Sequence, residues 1–316
     1  MPETNAADDR HRPSRIAVVI VNYRTPALVA ECIDTVLPEI DPVRDVVVIV
    51  DNASGDDSVP ALEALLARHP GAPLRLVVAE HNGGFAAGNN LGIAAAPAQA
   101  HLLLNSDTWL RPGAVEALWK RLGSGPRVGL VGPRLEWPDG EPQVSCFRLH
   151  TPASELIDGA RTGWVRRLLQ AYDVPLPVRD HAFRPEWVSF AAVLVRSEVW
   201  RAIGPMDEGF FLYYEDVDVC RRARDAGFQA WYEPAARVVH LRGGSGPVKQ
   251  LAAAGKRRPR YFYAARKRYF RNAYGPLGPW IANLCWSVGR VLSWLRGAFG
   301  TDHHTVRREW VDLWRG

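Results

Sequence analysis

Arg15-Ile16-Ala17-Val18-Val19-Ile20-Val21 is a continuous run dominated by β-branched residues, and it ends on Asn22-Tyr23. A strand with one wet face alternates apolar and polar residues. An unbroken apolar run marks a strand covered on both faces, as in a parallel sheet. The sequence beyond it fits that reading. Residues 22–26 (NYRTP) turn into a helix striped by Leu28, Cys32 and Val36 and stopped at Pro38. Residues 46–50 (VVVIV) form a second buried strand, closed by Asp51-Asn52-Ala53-Ser54-Gly55-Asp56. The step repeats with a helix at 62–67 and a strand at 74–78. Residues 80–90 (EHNGGFAAGNN) open a small-residue helix reaching about Ala96, and a fourth strand at 101–104 runs into Asn105-Ser106-Asp107. Strand and helix alternating at this spacing predict an α/β, doubly wound, Rossmann-like sheet.

Ligands of such sheets sit at the carboxyl ends of the strands, near a switch in strand order. Four polar clusters fall at those ends: Asn22-Tyr23, Asp51-Asn52, Asn82-Gly83-Gly84 and Asn105-Ser106-Asp107. The glycine pair belongs to neither G-x-G-x-x-G nor a P-loop. It would still let backbone N–H groups approach a diphosphate at a helix N-terminus, or serve close helix–sheet packing.

After Pro126 the alternation breaks down. Residues 128–135 and 143–148 read as strands of a mixed region, and 154–170 as one helix. Residues 172–185 are a proline-rich loop, 187–195 a strand, 198–203 a short helix, and 228–232 and 237–240 two short strands. Between them lies Phe210-Phe211-Leu212-Tyr213-Tyr214-Glu215-Asp216-Val217-Asp218, three carboxylates behind an aromatic and apolar run. Apolar neighbours desolvate carboxylates and raise their pKa toward that of a usable base. The same residues also suit an ordinary helix start, with Asp218 paired to Arg222 at i,i+4 and helix continuing over 219–226.

The 316-residue chain carries a formal net charge of +5, unevenly spread. Residues 234–301 hold 13 Lys or Arg and no Asp or Glu, leaving 26 basic against 34 acidic residues, a net of −8, elsewhere. Such a block suits nucleic acid, anionic lipid, phosphorylated substrates or plain solvation. Within it, residues 256–271 interleave Arg and Lys with Tyr261, Phe262, Tyr263, Tyr269 and Phe270. Residues 280–299 follow, with Asn283, Ser287, Arg290 and Ser293 as a polar stripe and Trp280, Ile281, Leu284, Val288, Val291, Leu295 and Phe299 as an apolar one. This reads as an interfacial amphipathic helix rather than a membrane span, or as a helix docked on the protein's own core or a second subunit. The four cysteines lie far apart and read as reduced, mostly buried thiols. Residues 1–14 read as a disordered tail without a secretory signal.

Asp107 alone suits a turn and His240 alone a core histidine; together with a diphosphate they could hold one Mg²⁺ or Mn²⁺. The motifs 21–23 (VNY), 50–54 (VDNAS), 82–90 (NGGFAAGNN), 103–107 (LLNSD), 211–218 (FLYYEDVD) and the later His240 resemble glycosyltransferase family 2. The likeness is greatest to rhamnosyltransferase-type bacterial members that build cell-wall or surface polysaccharide. It covers residues 15–275 in order.

The resemblance implies a GT-A fold with a mixed sheet, a nucleotide-binding half at 15–125 and an acceptor half at 126–250. A basic and amphipathic helical extension follows at 251–316. It implies inverting transfer of a single sugar from a nucleotide-diphosphate sugar, dTDP-rhamnose favoured, with UDP-galactofuranose or another hexosyl donor as the alternative. Asn22, Tyr23 and Asp51 would hold the nucleoside. Asn82, Gly83, Gly84, Phe85, Asn89 and Asn105 would line the diphosphate and sugar. Asp107 and His240 would hold the metal. Asp216 would be the general base, with Tyr213 and Glu215 on the acceptor side.

Two features depart from the family pattern. The metal motif is Asn105-Ser106-Asp107 rather than Asp-x-Asp. The Gln-x-x-Arg-Trp motif of processive members is absent, which argues for adding one or a few sugars. Nothing after strand one has the Gly-rich, Lys- or Arg-bearing signature of a nucleotidyltransferase. Asp107, Glu215, Asp216 and His240 together speak against a degenerate binding protein, and nucleic acid is not an expected partner. The expected acceptor is a glycan or polyprenyl-diphosphate-linked glycan. It would be met at the cytoplasmic membrane face, with peripheral contact through residues 256–300; oligomers are compatible with this.

Overall fold

A computed structural model describes residues 14–242, 251, 254, 256–297 and 308–315. The expected disordered tail lies outside them, except for Ser14, which begins the first strand. In chain order the first half comprises β1 (Ser14–Asn22), α1 (Pro26–Val36), β2 (Val46–Asp51), α2 (Ser58–Arg68), β3 (Leu74–Val78), α3 (Gly84–Ala95), β4 (Ala98–Asn105), β5 (Thr108–Leu110) and α4 (Ala114–Leu122). Next come β6 (Val128–Glu136), β7 (Cys146–Phe147), α5 (Pro152–Ala160), α6 (Gly163–Leu168), β8 (Trp187–Val188), β9 (Ala192–Arg196), α7 (Ser197–Ile203), α8 (Glu215–Asp225) and β10 (Gln229–His240). Three helices close the chain: α9 (Arg260–Tyr274), α10 (Gly278–Gly297) and α11 (Glu309–Arg315).

Eight strands form one sheet in the order β3-β2-β1-β4-β9-β6-β10-β5. The first four are parallel, as the alternation requires. β9 then runs antiparallel to β4 and β6, β10 parallel to β6, and β5 antiparallel to β10. The run that opens β1 is buried on both faces. Ile16, Val18 and Ile20 pack with α1 and α2, whereas Ala17 and Val19 face α3. Each such side chain contributes about 1.5–3 kcal/mol when fully buried, so a charge at Val19 would undo the sheet's centre. α3 sits close because it is glycine-rich: a Cβ on Gly92 would come within 2.3 Å of Val19 Cγ1.

Several expected elements change form. The helix expected over 154–170 breaks at Arg161, which closes α5 in the left-handed region at φ 47°. The strand expected over 187–195 is two strands. β8 pairs with β7 in a separate two-stranded sheet, and β9 joins the main one. Only Cys146 and Phe147 of 143–148 are strand. The short strands expected at 228–232 and 237–240 are a single β10 with a register shift between Glu233 and Arg237, where Pro234 cannot donate to the ladder. β5 and α4 have no counterpart in the sequence reading, although Ala114, Val115, Leu118 and Leu122 carry a helical stripe. The helix at the acids begins at Glu215 rather than Val219. All four cysteines are free thiols.

The C-terminal helices pack on the α/β body rather than standing apart from it. Tyr261 and Phe262 of α9 lie 5.5 Å and 5.9 Å, centroid to centroid, from Phe211 and Tyr213. Tyr263, Tyr269 and Phe270 are buried. The basic, aromatic segment therefore turns most of its rings inward, where they support residues 211–214. Helix α10 inverts the usual arrangement. Its polar stripe, Asn283, Ser287, Arg290 and Ser293, is buried, and its apolar stripe from Trp280 to Leu295 is exposed; Phe299 lies outside the described residues. α5 and α10 meet backbone to backbone: a Cβ on Gly289 would lie 2.3 Å from the Leu156 carbonyl oxygen, and one on Gly159 2.1 Å from that of Trp286. Arg266 of α9 fixes the bundle, donating to Glu155 at 2.6 and 3.0 Å and to Asn283 at 2.6 Å. No helix among the described residues is long and apolar enough to cross a membrane.

Candidate active site

The parallel strands deliver their polar ends to one edge of the sheet, and β1 and β4 flank the switch in strand order there. Asn22 at the end of β1 is fully buried and donates from Nδ2 to Asp51 Oδ1 at 2.7 Å. The Ser54 amide and hydroxyl also donate to Asp51, at 3.0 and 2.6 Å. Asn22 and Asp51 thus brace the loops around them, while Tyr23 beside them is exposed with the Arg24 guanidinium over its ring.

The Asn82-Gly83-Gly84 turn is tied to the same edge. Asn52 Nδ2 donates to Asn82 Oδ1 and to the Gly84 carbonyl, both at 3.0 Å. The Gly84 amide donates back to Asn82 Oδ1, also at 3.0 Å. Gly84 has φ +85°, and a Cβ there would lie 2.1 Å from the Phe211 carbonyl oxygen. The Phe85 amide donates to that oxygen at 2.8 Å. The close approach that needs a glycine is therefore to the acidic loop, which clamps the start of α3 to residue 211. Asn89 is buried one turn along and donates to the Phe85 carbonyl at 2.9 Å.

The acidic stretch divides between two roles. Asp218 is buried and accepts from Arg221 Nη2 at 2.9 Å and Arg222 Nε at 2.8 Å. Arg222 also donates to the Ile203 and Pro205 carbonyls. Asp218 is thus the ordinary ion-paired residue of an amphipathic helix. Glu215 and Asp216 instead line a cavity of about 510 Å³. That cavity also takes in Phe85, Asn105, Tyr213 and His240, so residues from both halves of the chain share one cleft.

The cleft has unusual backbone and electrostatics. Tyr213 and Tyr214 are consecutive non-glycine residues in the left-handed region, at φ 74° and 69°. Such conformations cost about 1–3 kcal/mol each and persist only where the surroundings impose them. Here the surroundings are Phe262 and Tyr269 of α9 against the two rings. Burial, with Asp216 beside it, pushes the Glu215 carboxyl well above the usual carboxylate range. Its Oε2 has no hydrogen-bond partner among the described residues. Burial also pushes the Tyr213 hydroxyl up to about 12. Raising one of two neighbouring carboxyls is how such a pair avoids carrying two charges at once. Asp216 accepts from the Val217 amide at 2.8 Å.

Asp107, in the turn between β4 and β5, meets His240 at the end of β10 beside the β5–β10 ladder, with His240 Nε2 3.5 Å from Asp107 Oδ1. His240 Nδ1 is buried with no hydrogen-bond partner among the described residues. A carboxylate oxygen beside an imidazole suits Mn²⁺ or Mg²⁺ when a diphosphate completes the shell. Among the described residues no three His, Cys, Asp or Glu cluster as a self-sufficient metal site, so the protein's share would be these two. Asn105 lines the cleft, and Ser106 hydrogen bonds Thr25 at 3.0 Å.

Three cleft residues escape the sequence reading. Arg242 donates to Gln143 Oε1, whose own amide donates to the His240 carbonyl at 2.7 Å. Its guanidinium is the cation nearest the metal pair along the chain, signalled only by its place two residues after His240. Ser189 enters where the chain steps from β8 to β9. His150 stands between the cleft and a second cavity of about 530 Å³ lined by α5, α6, α9, α10 and α11. Burial lowers its pKa to about 4, so it is neutral.

Comparison with known proteins bears on the family and the fold. A family model described as glycosyltransferase like family 2 matches residues 13–275. The N-acetylglucosaminyl-diphospho-decaprenol L-rhamnosyltransferase of Mycobacterium tuberculosis is 27% identical over 281 residues, 83% of each chain. The pre-mycofactocin glycosyltransferase of the same organism is 30% identical over 269 residues, 81% of this chain and 48% of that one. The solved mannosyltransferase PcManGT from Pyrobaculum calidifontis, in complex with GDP-Man and Mn²⁺, superposes with a TM-score of 0.59 at 16% identity, covering 92% of this chain and 77% of that one. GalNAc-T7 with UDP, GalNAc and Mn²⁺ gives a TM-score of 0.57 at 13% identity, covering 93% and 56%. The chain belongs to glycosyltransferase family 2 and has the GT-A fold.

Proposed function

We propose that the protein transfers one sugar, with inversion, from a nucleotide-diphosphate sugar to a hydroxyl of a polyprenyl-diphosphate-linked glycan. dTDP-rhamnose is the favoured donor. The observation that carries the reading is the shared cleft, in which Asp216 and Glu215 face Asn105, Phe85 and His240.

Asp216 is the general base. It accepts the acceptor's hydroxyl proton as the oxygen attacks the anomeric carbon, and the bond from that carbon to the diphosphate breaks with its electron pair. One base suffices for a single in-line displacement, unlike the paired carboxyls of hydrolases. Glu215 keeps its proton and so leaves the negative charge on Asp216. Tyr213 and Phe85 shape the sugar and acceptor sides. Asn22, Tyr23 and Asp51 define the nucleoside end, and Asn82, Gly83, Gly84 and Asn89 the loop over the diphosphate. Asp107 and His240 would hold the divalent metal, which neutralises charge on the leaving diphosphate when bound. Arg242 offers a second cation there.

Support for the substrates comes from the M. tuberculosis rhamnosyltransferase, whose name specifies a diphospho-decaprenol acceptor. The lack of the processive Gln-x-x-Arg-Trp motif supports single additions. Work on such an acceptor implies action at a membrane surface.

Thermal melts with dTDP, UDP and GDP, each with Mn²⁺ and with chelator, test the donor side. Metal-dependent stabilisation by dTDP alone is expected; at about 100 times the dissociation constant it amounts to roughly 2.7 kcal/mol. Stabilisation by UDP or GDP instead would replace the donor. Transfer from dTDP-rhamnose to a synthetic polyprenyl-diphosphate sugar, read by NMR of the new anomeric centre, tests the rest. Retained anomeric configuration would rule out the single displacement.

A further inference from the structure

The inverted helix α10 has a consequence outside the catalytic cleft. Leu277, Ile281, Leu284, Val288, Val291 and Leu295 repeat at alternating spacings of four and three, and all are exposed. Trp280 and Trp294 widen the stripe at 62% and 61% exposure, while Arg290 and Ser293 on the opposite side are 4% and 0% exposed. Helix α11 does the same. Its carboxylates, Glu309 and Asp312, are buried against Arg161, Arg258 and Arg257. Its Trp310, Val311 and Trp314 point outward. The two apolar faces are continuous, because Trp280 meets Trp314 at 5.5 Å and Trp294 meets Trp310 at 6.1 Å.

We propose that the outer face of α10 and α11 is a docking surface for a bilayer containing anionic lipid. Charge decides the occupant. Glu309 and Asp312 are the only acids in α9, α10 and α11, and both are turned inward. Arg260, Arg271, Arg308 and Arg315 of the same segment are exposed. Among the described residues this face carries four tryptophans, with exposed Arg308 and Arg315 bracketing α11 and no exposed carboxylate, which matches the headgroup region of an anionic membrane. A second copy of the chain fits less well. The residues flanking the four-three stripe are Trp280 and Trp294 on one side and Cys285 and Leu292 on the other, where a paired helix seam in water carries charges.

The surface deepens the lipid-linked acceptor reading and rests on it for its purpose, though not for its geometry. The inward side of α10 and α11 supplies Trp286 and Leu313 to the cavity of about 530 Å³, which shares His150, Tyr214 and Phe262 with the catalytic cleft. A glycan rising from a docked bilayer would enter beside this wall.

The test is flotation of the full chain with phosphatidylcholine vesicles and with phosphatidylcholine/phosphatidylglycerol vesicles. Recovery is expected with the anionic vesicles. It should fall about tenfold or more in the combined Trp280→Ser, Leu284→Ser, Trp294→Ser variant. A circular dichroism melt matching wild type would show that these exposed replacements leave the fold intact. Asp216→Asn should float like wild type, which separates the surface from the catalytic assignment: transfer can fail while docking stands. No flotation of the wild type on either vesicle overturns the proposal. So does equal recovery on neutral vesicles, or a wild-type dimer that the triple variant converts to monomer.

Discussion

Two glutamates, Glu155 and Glu215, are buried almost equally, at 5% and 6% exposure, and their surroundings differ in kind. Glu155 faces Arg266, which donates twice to one of its oxygens. Burial pushes its carboxyl up and the guanidinium pulls it back, while Arg266 itself is held above its ordinary value by the pair. Two hydrogen bonds under 3.1 Å make the charged pair the working state. Among the described residues Glu215 has no cation partner, and its neighbour is another carboxyl, Asp216. The same burial yields a structural pin in one place and, in the other, a carboxyl held well above its usual range. What differs is the partner, and each partner is brought by tertiary contact.

The comparison can be broken most sharply at Asp216. Asp216→Asn removes the base and should lower the transfer rate about 10²–10⁴-fold, with the nucleotide-induced melting shift unchanged. A variant retaining more than about a tenth of the wild-type rate would move the base elsewhere. At the other site, Glu155→Ala strands the buried Arg266 charge. Breaking such a pair costs about 3–5 kcal/mol, so the melting temperature should fall steeply. An unchanged melt would mean that α9 and α10 are held by packing alone.

A smaller effect is expected at the helix crossing beneath Glu155. Gly289→Leu forces α10 away from α5 and should destabilise by about 1–3 kcal/mol, read from urea unfolding. The subtlest effect is at Glu215. Its folded-state pKa lies above its unfolded value, so the folded protein binds the extra proton. Wild-type stability is therefore fullest below the ordinary carboxyl range and declines as pH rises toward the raised value. Glu215→Gln keeps the neutral shape and lacks that decline. Its melting temperature should overtake wild type progressively as pH rises above the ordinary carboxyl range toward the raised value. Parallel curves would show that Glu215 ionises in the folded state as it does in the unfolded one.

Much of the molecule is legible in single residues. The β-branched runs of β1 and β2 specify parallel strands because no strand with a wet face tolerates Ile16 to Val21. The Asp218–Arg222 pair is legible because helical spacing alone brings i and i+4 together. The apposition of Asp107 and His240 is anticipated by the family resemblance but by no local rule, since a ladder between residues 108 and 240 creates it. The break at Arg161 and the splitting of 187–195 are not legible. Each is imposed by a neighbour distant in sequence: α10 and α11 in one case, the cleft and two separate sheets in the other.

Helix α10 marks the boundary between the two kinds of information. The sequence by itself determined that a helix with one polar and one apolar stripe runs over about residues 280–299, because 3.6-residue periodicity is a local property. It also determined the α/β alternation and the polar strand ends where a nucleotide sugar would bind. Only the tertiary structure decided which stripe faces inward. The bare backbones of Gly159 and Gly289 allow close approach, and Arg266 and Asn283 hydrogen bond across the junction. Together they make the polar side the buried one and leave the tryptophans outside. Periodicity fixes the faces of a helix, but their direction depends on what they meet.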